Sequence, residues 1–515
     1  MTTRATGSVP STAPTSVPST DLHRHRSTDS TSRETRTQRP GFKDTFSALR
    51  VRNFRLLVSG LLVSSTGGWI QRIAQDWLVL TLTGSATAVG ITTALQFLPT
   101  LTLGLYGGVI ADRFPKRKIL LVTQITMGLC AGVLALTAFT GSVQVWHVYS
   151  MALVLGLATA VDNPTRQSFV TELVPRETVR NAISMVSSTF QLGSLIGPAL
   201  GGVLLGTIGA GWAFALNGLT FFASISALLR MRESEMPGFH AARKASAGMR
   251  IRDGLRDGVR YALDEPAVRW AIALVGIYGM FAISLPVTLT AFADRVFHTG
   301  ASGYGVLNSV VAFGALAGAL LSARRVRQPR LRNLIAIACL LTISQVLAAI
   351  QPSLWTFMPV LALMGMATLM FLTAAQSMVQ LTTPDGLRGR VSGIYNLVFI
   401  GGGAIGGPLV GFLAQNLGAR WALVLAGAVP AIATVAIGLR LRRDGQFRLV
   451  VVRTRSPWHQ VPIRLNLQQT EIRLAAPESS PITRTSRPFA LGRRQHARMD
   501  SHLRPARARR RSQHH

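Results

Sequence analysis

A chain of 515 residues that is 48% hydrophobic and only 15% charged has too little polar surface to cover a water-soluble globule of its size. The formal net charge of +33 would suit a nucleic-acid binder, but the Arg residues sit in the two tails and in alternate loops rather than on one globular face, so a nucleic-acid partner is set aside. The two cysteines, Cys130 and Cys339, both lie inside apolar runs; they offer no disulfide framework and read as small packing residues.

Residues 1–53 are rich in Ser, Thr, Pro, Arg and His and too poor in apolar side chains to bury a core, so a disordered basic tail is expected. No short apolar signal-peptide core is present, which leaves the first span as its own insertion signal. Near the end of this tail Phe42, Phe46 and Leu49 stand at helical spacing among basic residues, as in an amphipathic helix on an anionic leaflet.

Apolar segments then recur at Phe54–Leu80, Ala86–Ala111, Ile119–Phe139, Val145–Phe169, Ala182–Thr207 and Trp212–Leu229. A polar linker occupies 231–268. Six more segments follow at Trp270–Phe292, Tyr304–Ala323, Leu331–Ala349, Leu354–Val379, Val391–Asn416 and Ala422–Leu439. Each is near the roughly 20 residues that a helix needs to cross a bilayer, and all are too long for barrel strands. The expectation is an all-α membrane protein of 12 spans in two six-helix bundles, 54–230 and 269–440. Residues 441–515 form a second basic tail ending PARARRRSQHH, expected to be disordered and able to meet anionic lipid.

The two halves are copies. Gln167–Trp212 aligns without a gap on Gln376–Trp421, since 376 − 167 = 209 and 421 − 212 = 209. The same offset pairs Cys130 with Cys339, Trp146 with Trp355, Gly156 with Gly365 and Pro175 with Pro384. A repeat of this length is an internal duplication rather than a solenoid period.

Lys and Arg set the expected orientation. They fill the loops at 113–118 and 176–180, the linker, and the loops at 324–332 and 388–390. The opposite connections, such as Thr140–Gln144 and Ile350–Ser353, carry none, with Arg295 and Arg420 as exceptions. Both termini and the linker are therefore expected on the cytoplasmic side. Trp69, Trp77, Trp146, Trp355 and Trp421 read as interfacial anchors at the other side.

Three local patterns carry chemistry. Gly107 and Gly108 let the end of the second helix approach a neighbour, and Asp112 with Arg113, Lys116 and Arg117 forms a charged turn that can pair in one conformation and release in another. In the second half no Asp or Glu lies between Asp294 and Asp385, so the corresponding turn lacks its acid. Gly193, Gly197, Gly201 and Gly202 with Pro198 make a smooth, bendable face suited to a rocking contact between halves, or simply to tight packing. Ionisable pairs four residues apart, Arg72 with Asp76 and Asp162 with Arg166, lie within spans, where such groups are costly to keep. They are candidates for proton coupling, or else static ion pairs. Gln191, Gln376 and Asn396 add neutral polar groups to the candidate cavity.

Six helices, a linker and six related helices, together with Gly108–Lys118 and Gly193–Gly202, resemble the major facilitator superfamily. Gly68–Leu78 and Asn163–Gln167 resemble its transmembrane secretion effector branch, which includes the enterobactin exporter and is similar to macrolide efflux pumps. That resemblance implies a latch at the second loop, an antiporter-type fifth helix and a central cavity lined by helices one and four. It also implies efflux of a drug, siderophore or secondary metabolite in exchange for protons, by a monomer. An uptake permease and a non-transporting sensor of the same fold are the alternatives. No GxxxxGK[ST] phosphate loop occurs, and His147 and His298 stand alone, so neither an enzyme nor a cofactor is expected. Asp112→Asn is expected to cut transport strongly while inserted protein stays near wild type, measured as transport rate per protein recovered in membranes; a wild-type rate would remove the latch role.

Overall fold

The computed structural model describes residues 44–232, 235, 251–324, 331–443, 448–451 and 465–468. The first bundle contains α1 (Arg52–Thr83), α2 (Ala86–Arg113), α3 (Lys116–Phe139), α4 (Val145–Leu173), α5 (Val179–Thr207) and α6 (Ala210–Leu229). A helix of the linker, α7 (Ile251–Asp264), precedes the second bundle. There the first span is broken into α8 (Pro266–Ile283), α9 (Leu285–Ala291) and a π-turn at Phe292–Val296. It continues with α10 (Gly300–Ala323), α11 (Leu331–Ala349), α12 (Leu354–Thr382), α13 (Asp385–Asn416) and α14 (Ala419–Arg443). All of these belong to one compact unit. In the second unit, Gly445–His515, the structure describes two short antiparallel strands, β1 (Arg448–Val451) and β2 (Leu465–Gln468), where a disordered tail was expected. The N-terminal tail to residue 43, linker residues 236–250 and tail residues 469–515 lie outside the described residues.

The duplication is visible in the packing. Within the first bundle α1 packs on α5, α2 on α4, and α3 on both α4 and α6. In the second, α8 packs on α13, α10 on α12, and α11 on both α12 and α14. The two most extensive contacts between bundles are likewise copies, α2 against α13 and α10 against α5. Even the turns repeat. Gly209 and Gly418, one offset apart, both adopt φ near 90°, a left-handed conformation that favours glycine, at the connections into α6 and α14.

Among the described residues, eleven helices are long and apolar enough to cross a membrane. The helix α1 falls outside that set although it has 32 residues, because Gln71, Arg72, Gln75 and Asp76 interrupt its apolar character. Gln71, Gln75 and Asp76 are buried inside the bundle, so its polar flank faces protein rather than lipid. Outward-facing Leu129, Leu219, Phe222 and Ile432 are about two-thirds exposed and form part of the apolar exterior that a bilayer would cover.

The expected surface helix around Phe46 and Leu49 is different. Asp44–Arg50 is a 3₁₀ turn whose Ala48 is fully buried in a core cluster of α1, α3, α4 and α5, with Leu49 packed against it. The Ala48 amide donates to Asn181 Oδ1 at 3.1 Å, so this turn docks on the bundle instead of lying on lipid. Phe42 lies outside the described residues.

At the basic end, Lys116 pairs with Glu172 of α4 at 2.5 Å, and Arg117 donates to the carbonyls of Leu228 and Leu229, both at 2.9 Å. The Arg117 bonds add side-chain donors to the last carbonyls of α6, where the regular helical pattern runs out. Gly107 is a close-approach site: a Cβ there would lie 3.1 Å from the Ala160 carbonyl carbon of α4. Gly108 meets nothing within 4 Å, so the expected close approach belongs to Gly107 alone. Gly107→Ala should therefore lower the melting temperature by several degrees in detergent. Gly108→Ala should leave it unchanged or raise it slightly, since Ala is favoured over Gly in a helix by roughly 0.5–1 kcal/mol. Equal melting temperatures for the two variants would contradict this packing.

Candidate functional site

The two bundles touch closely at the end opposite the basic loops. A Cβ on Gly202 of α5 would lie 2.7 Å from the Gly305 Cα of α10, and one on Gly411 of α13 would lie 2.9 Å from the Thr87 Cα of α2. Val287 of α9 is fully buried in an apolar cluster otherwise drawn from the first bundle, including Ile70, Ala74 and Val89. Polar bonds close the same end. Arg295, brought inward by the π-turn, donates to the Gly84 carbonyl at 2.6 Å and to Gln415 Oε1 at 2.9 Å. The same Gln415 oxygen accepts from the Ala86 amide at 3.0 Å. The Tyr304 hydroxyl of α10 donates to Asp76 Oδ2 of α1 at 2.9 Å, with both residues essentially inaccessible.

Beneath this closure lies a cavity of about 980 Å³ between the bundles. Its walls run from Trp69 and Arg72, midway along α1, to Arg166 and Val170 of α4 and Ile183 and Ser187 of α5, toward the basic end. Six of the seven expected cavity residues, Arg72, Asp162, Arg166, Gln191, Gln376 and Asn396, line it together. The seventh, Asp76, is not on the wall but inside the closed interface with Tyr304. A smaller pocket of about 240 Å³ adjoins Arg72, with Gln75, Gln96, Phe97 and Asn217 on its walls.

The two carboxylates of these spans differ in their surroundings. Asp162 accepts from Thr123 Oγ1 at 2.7 Å, from Gln124 Nε2 at 3.1 Å and from Nε of Arg166 at 3.0 Å, with a further bond from Arg166 Nη2. It is a satisfied ion pair binding α3 to α4, the static alternative for this pair. Asp76 has a hydroxyl donor from the opposite bundle and no ion pair with Arg72, although the two stand four apart on one helix. Arg72 instead rests against aromatic rings, its guanidinium carbon 5.6 Å from the Trp69 centroid and 5.2 Å from the Phe97 centroid. Its Nε is buried without a hydrogen-bond partner, as is Nε2 of Gln75.

The remaining expected residues fall elsewhere. The charged turn ends α2 at Asp112 and Arg113, and the side chain of Asp112 lies outside the described residues. Lys116 pairs with Glu172, and Arg117 donates to the carbonyls of Leu228 and Leu229, all of the first bundle. On α5, Gly193 faces Ser65, Gly197 faces Trp69 and Gly201 faces Ile70, all on α1 of the same bundle. Gly202 alone of the set crosses to the other half, and Pro198 offers its carbonyl to the same approach beside Gly305. The glycine face expected between halves is thus mostly a seam inside one half. Trp69 also departs from expectation: α1 extends from Arg52 to Thr83, which puts this residue at mid-helix on the cavity wall rather than at an interface. Tyr304 and Gln415 were missed by sequence reading. Arg295 was legible only as an exception to the charge asymmetry.

Two bundles of six helices, duplicated in packing and enclosing an amphipathic cavity shut at one end, define a transporter architecture rather than an enzyme cleft. Solved structures agree in fold. A bacterial homolog of the human lysosomal transporter Spinster, in an inward-facing, unoccupied conformation, superposes with a TM-score of 0.61 at 17% identity, covering 76% of this chain and 97% of that one. A POT family transporter in complex with 5-aminolevulinic acid gives 0.60 at 14% identity, covering 79% and 98%.

The family model described as transmembrane secretion effector matches residues 43–473, and this chain belongs to that family of major facilitator transporters. Similar curated proteins include the enterobactin exporter EntS of Citrobacter koseri, 29% identical over 411 residues, with 77% of this chain and 90% of that protein covered. EntS of Escherichia coli O1:K1 and of Shigella boydii serotype 4 are each 28% identical over the same coverage. The chain is a multi-pass membrane transporter. If Asp162 is structural, Asp162→Asn should cost roughly 3–5 kcal/mol by stranding Arg166. Asp162→Asn with Arg166→Gln should recover most of it, as read from thermal unfolding in detergent. An Asp162→Asn variant as stable as wild type would return this carboxylate to the list of proton sites.

Proposed function

We propose that this protein is a proton-coupled exporter of amphipathic small molecules (a drug, siderophore or secondary metabolite) working as a monomer in the plasma or inner membrane. Its termini and linker are cytoplasmic, and its basic tails meet anionic lipid. The observation that carries the reading is the placement of Asp76 directly above a large central cavity, held by Tyr304 of the opposite bundle. A buried carboxylate whose donor belongs to the other half gains or loses that donor whenever the halves rock. Proton affinity and bundle position are then linked at one atom, which is what exchange requires. With the basic end inside, the cavity faces the cytoplasm, the side from which an exporter loads. The similarity to enterobactin exporters supports export over uptake.

The charged turn at Gly108, Asp112 and Arg113 is assigned to the balance between the two orientations. Lys116 and Arg117 anchor its far side through Glu172 and the end of α6. The seam of Gly193, Gly197 and Gly201 lets α1 and α5 move as one block, and Gly202 rides on α10.

Acid-loaded proteoliposomes given a panel of catecholate, macrolide and other amphipathic compounds outside should alkalinise internally when a substrate enters. Asp76→Asn should lose that response by at least about tenfold while keeping insertion, because the remaining amide cannot carry a proton. Alkalinisation that persists in Asp76→Asn would move coupling to another group. No alkalinisation in wild type, with insertion confirmed, would remove proton exchange.

A further inference from the structure

We infer that the transported molecule carries an anionic oxygen group, a carboxylate or phenolate on an aromatic or other flat apolar body, and that Arg72 is the residue that binds it. This rests on the reading of the central cavity as the substrate site and adds the charge of what enters it.

The argument is a charge count on the walls. Among the described residues, the ionisable ones lining the larger cavity are Arg72, Asp162 and Arg166, and the smaller pocket has Arg72 alone. Asp162 and Arg166 cancel in a bonded pair. The walls therefore hold one positive charge that no bonded ion pair neutralises, with Asp76 acting on it only through space from behind the wall, in a poorly solvated setting where a second cation is repelled and an anion attracted.

The donors at that charge have no hydrogen-bond partner within the protein. Arg72 has a buried Nε without a partner, and Gln75, only 1% exposed, has an unpartnered Nε2 and borders the same pocket. Two buried N–H donors one turn apart, both unsatisfied, are costly unless an acceptor arrives. A guanidinium fork meets a carboxylate in two parallel bonds, so the acceptor of best fit is an oxyanion. Trp69 and Phe97 flank the guanidinium, and Phe190 stands 5.9 Å from Trp69 between ring centroids. These rings supply an apolar surface for the body attached to the anion.

The group that would otherwise neutralise Arg72 is Asp76, on the same helix face. Tyr304 holds its carboxylate in the closed interface, and no ion pair joins it to Arg72. In this state Asp76 reaches Arg72 only through space, and the Nε of Arg72 has no bonded partner.

The test is direct binding to the full chain in phosphatidylcholine nanodiscs, by titration calorimetry, with three matched probes: 2-naphthoate, 2-naphthamide and 2-naphthylmethylammonium. Naphthoate should bind about tenfold or more tightly than the amide, as charge-assisted bonds to a guanidinium imply, and the ammonium weakest. Arg72→Gln should reduce naphthoate to the level of the amide and leave the amide unchanged. Arg72→Lys should retain part of the preference, which guards against a folding defect in the first variant. Tyr304→Phe should weaken naphthoate by releasing Asp76 toward Arg72. Amide or ammonium binding as tightly as naphthoate, an unchanged Arg72→Gln, or no binding of any probe would each overturn the inference. So would loss of naphthoate binding when phosphatidylglycerol is added to the nanodiscs, which would give the site to a lipid headgroup. Nanodiscs hold no gradient. Intact naphthoate binding with no proton exchange in proteoliposomes would thus overturn only the export mechanism, and the converse would overturn only the charge assignment.

Discussion

The hydrogen bond from Tyr304 to Asp76 is the interaction around which the two halves are set. A carboxylate buried in a membrane protein is expensive, and its cost falls only when a donor or a cation meets it. Here the donor comes from the opposite bundle, so the most costly group on α1 is hydrogen-bonded across the closed end. The surrounding closure is built from backbone approaches at Gly202 with Gly305 and at Gly411 with α2, and from the Arg295 bonds to Gly84 and Gln415. Small residues permit the approach, while the polar bonds choose where it stops.

Duplication explains the scaffold, and its failures locate the chemistry. Helix pairings and the Gly209 and Gly418 turns repeat across the halves, as two-bundle transporters with a central site require. The charges do not repeat. Arg72, Asp76, Asp162 and Arg166 all belong to the first bundle, whereas the second lines the cavity with Gln376, Gln380 and Asn396. Its own departure from regularity is the broken span at Ser284 and Pro286, followed by the π-turn that carries Arg295. A proline without an amide hydrogen ends α8, and an inserted residue turns Arg295 toward the first bundle. One half supplies charge, the other supplies reach.

The fold was legible because span length and the 209-residue offset are long-range regularities that no local ambiguity can erase. Membership of the cavity was legible for a similar reason: polar groups in apolar spans have few places to go, and six of the named ones share one wall. Partnership was not legible. Asp76 with Arg72 and Asp162 with Arg166 have the same spacing, yet one pair is bonded and the other is divided. Nothing within α1 encodes that difference, because Thr123 and Gln124 come from α3 and Tyr304 from the other bundle. Trp69 was misplaced for a related reason. A polar run ending an apolar segment reads as a membrane boundary, but on α1 it is an inward-facing stripe at mid-helix.

In the proposed cycle the divided pair also reconciles proton exchange with the anionic cargo inferred above. With the bundles shut at this end, Tyr304 occupies Asp76 and leaves Arg72 open to an oxyanion. Rocking to the other orientation withdraws Tyr304, and the freed carboxylate, four residues away on the same face, becomes the intramolecular competitor for Arg72. The cargo is then displaced on the far side by a group that was never available on the near side. A proton taken up by Asp76 there would remove the competing charge. Each step needs only contacts among three residues, and the sequence of events follows from which bundle each belongs to. Electrically the cycle is favourable as well: one negative charge leaving an inside-negative cell gains about 2.3 kcal/mol per 100 mV, and one proton entering gains the same. A cationic cargo would forfeit the first contribution and meet Arg72 as a like charge, so the residue that selects the anion also selects the cargo that the membrane potential helps to expel.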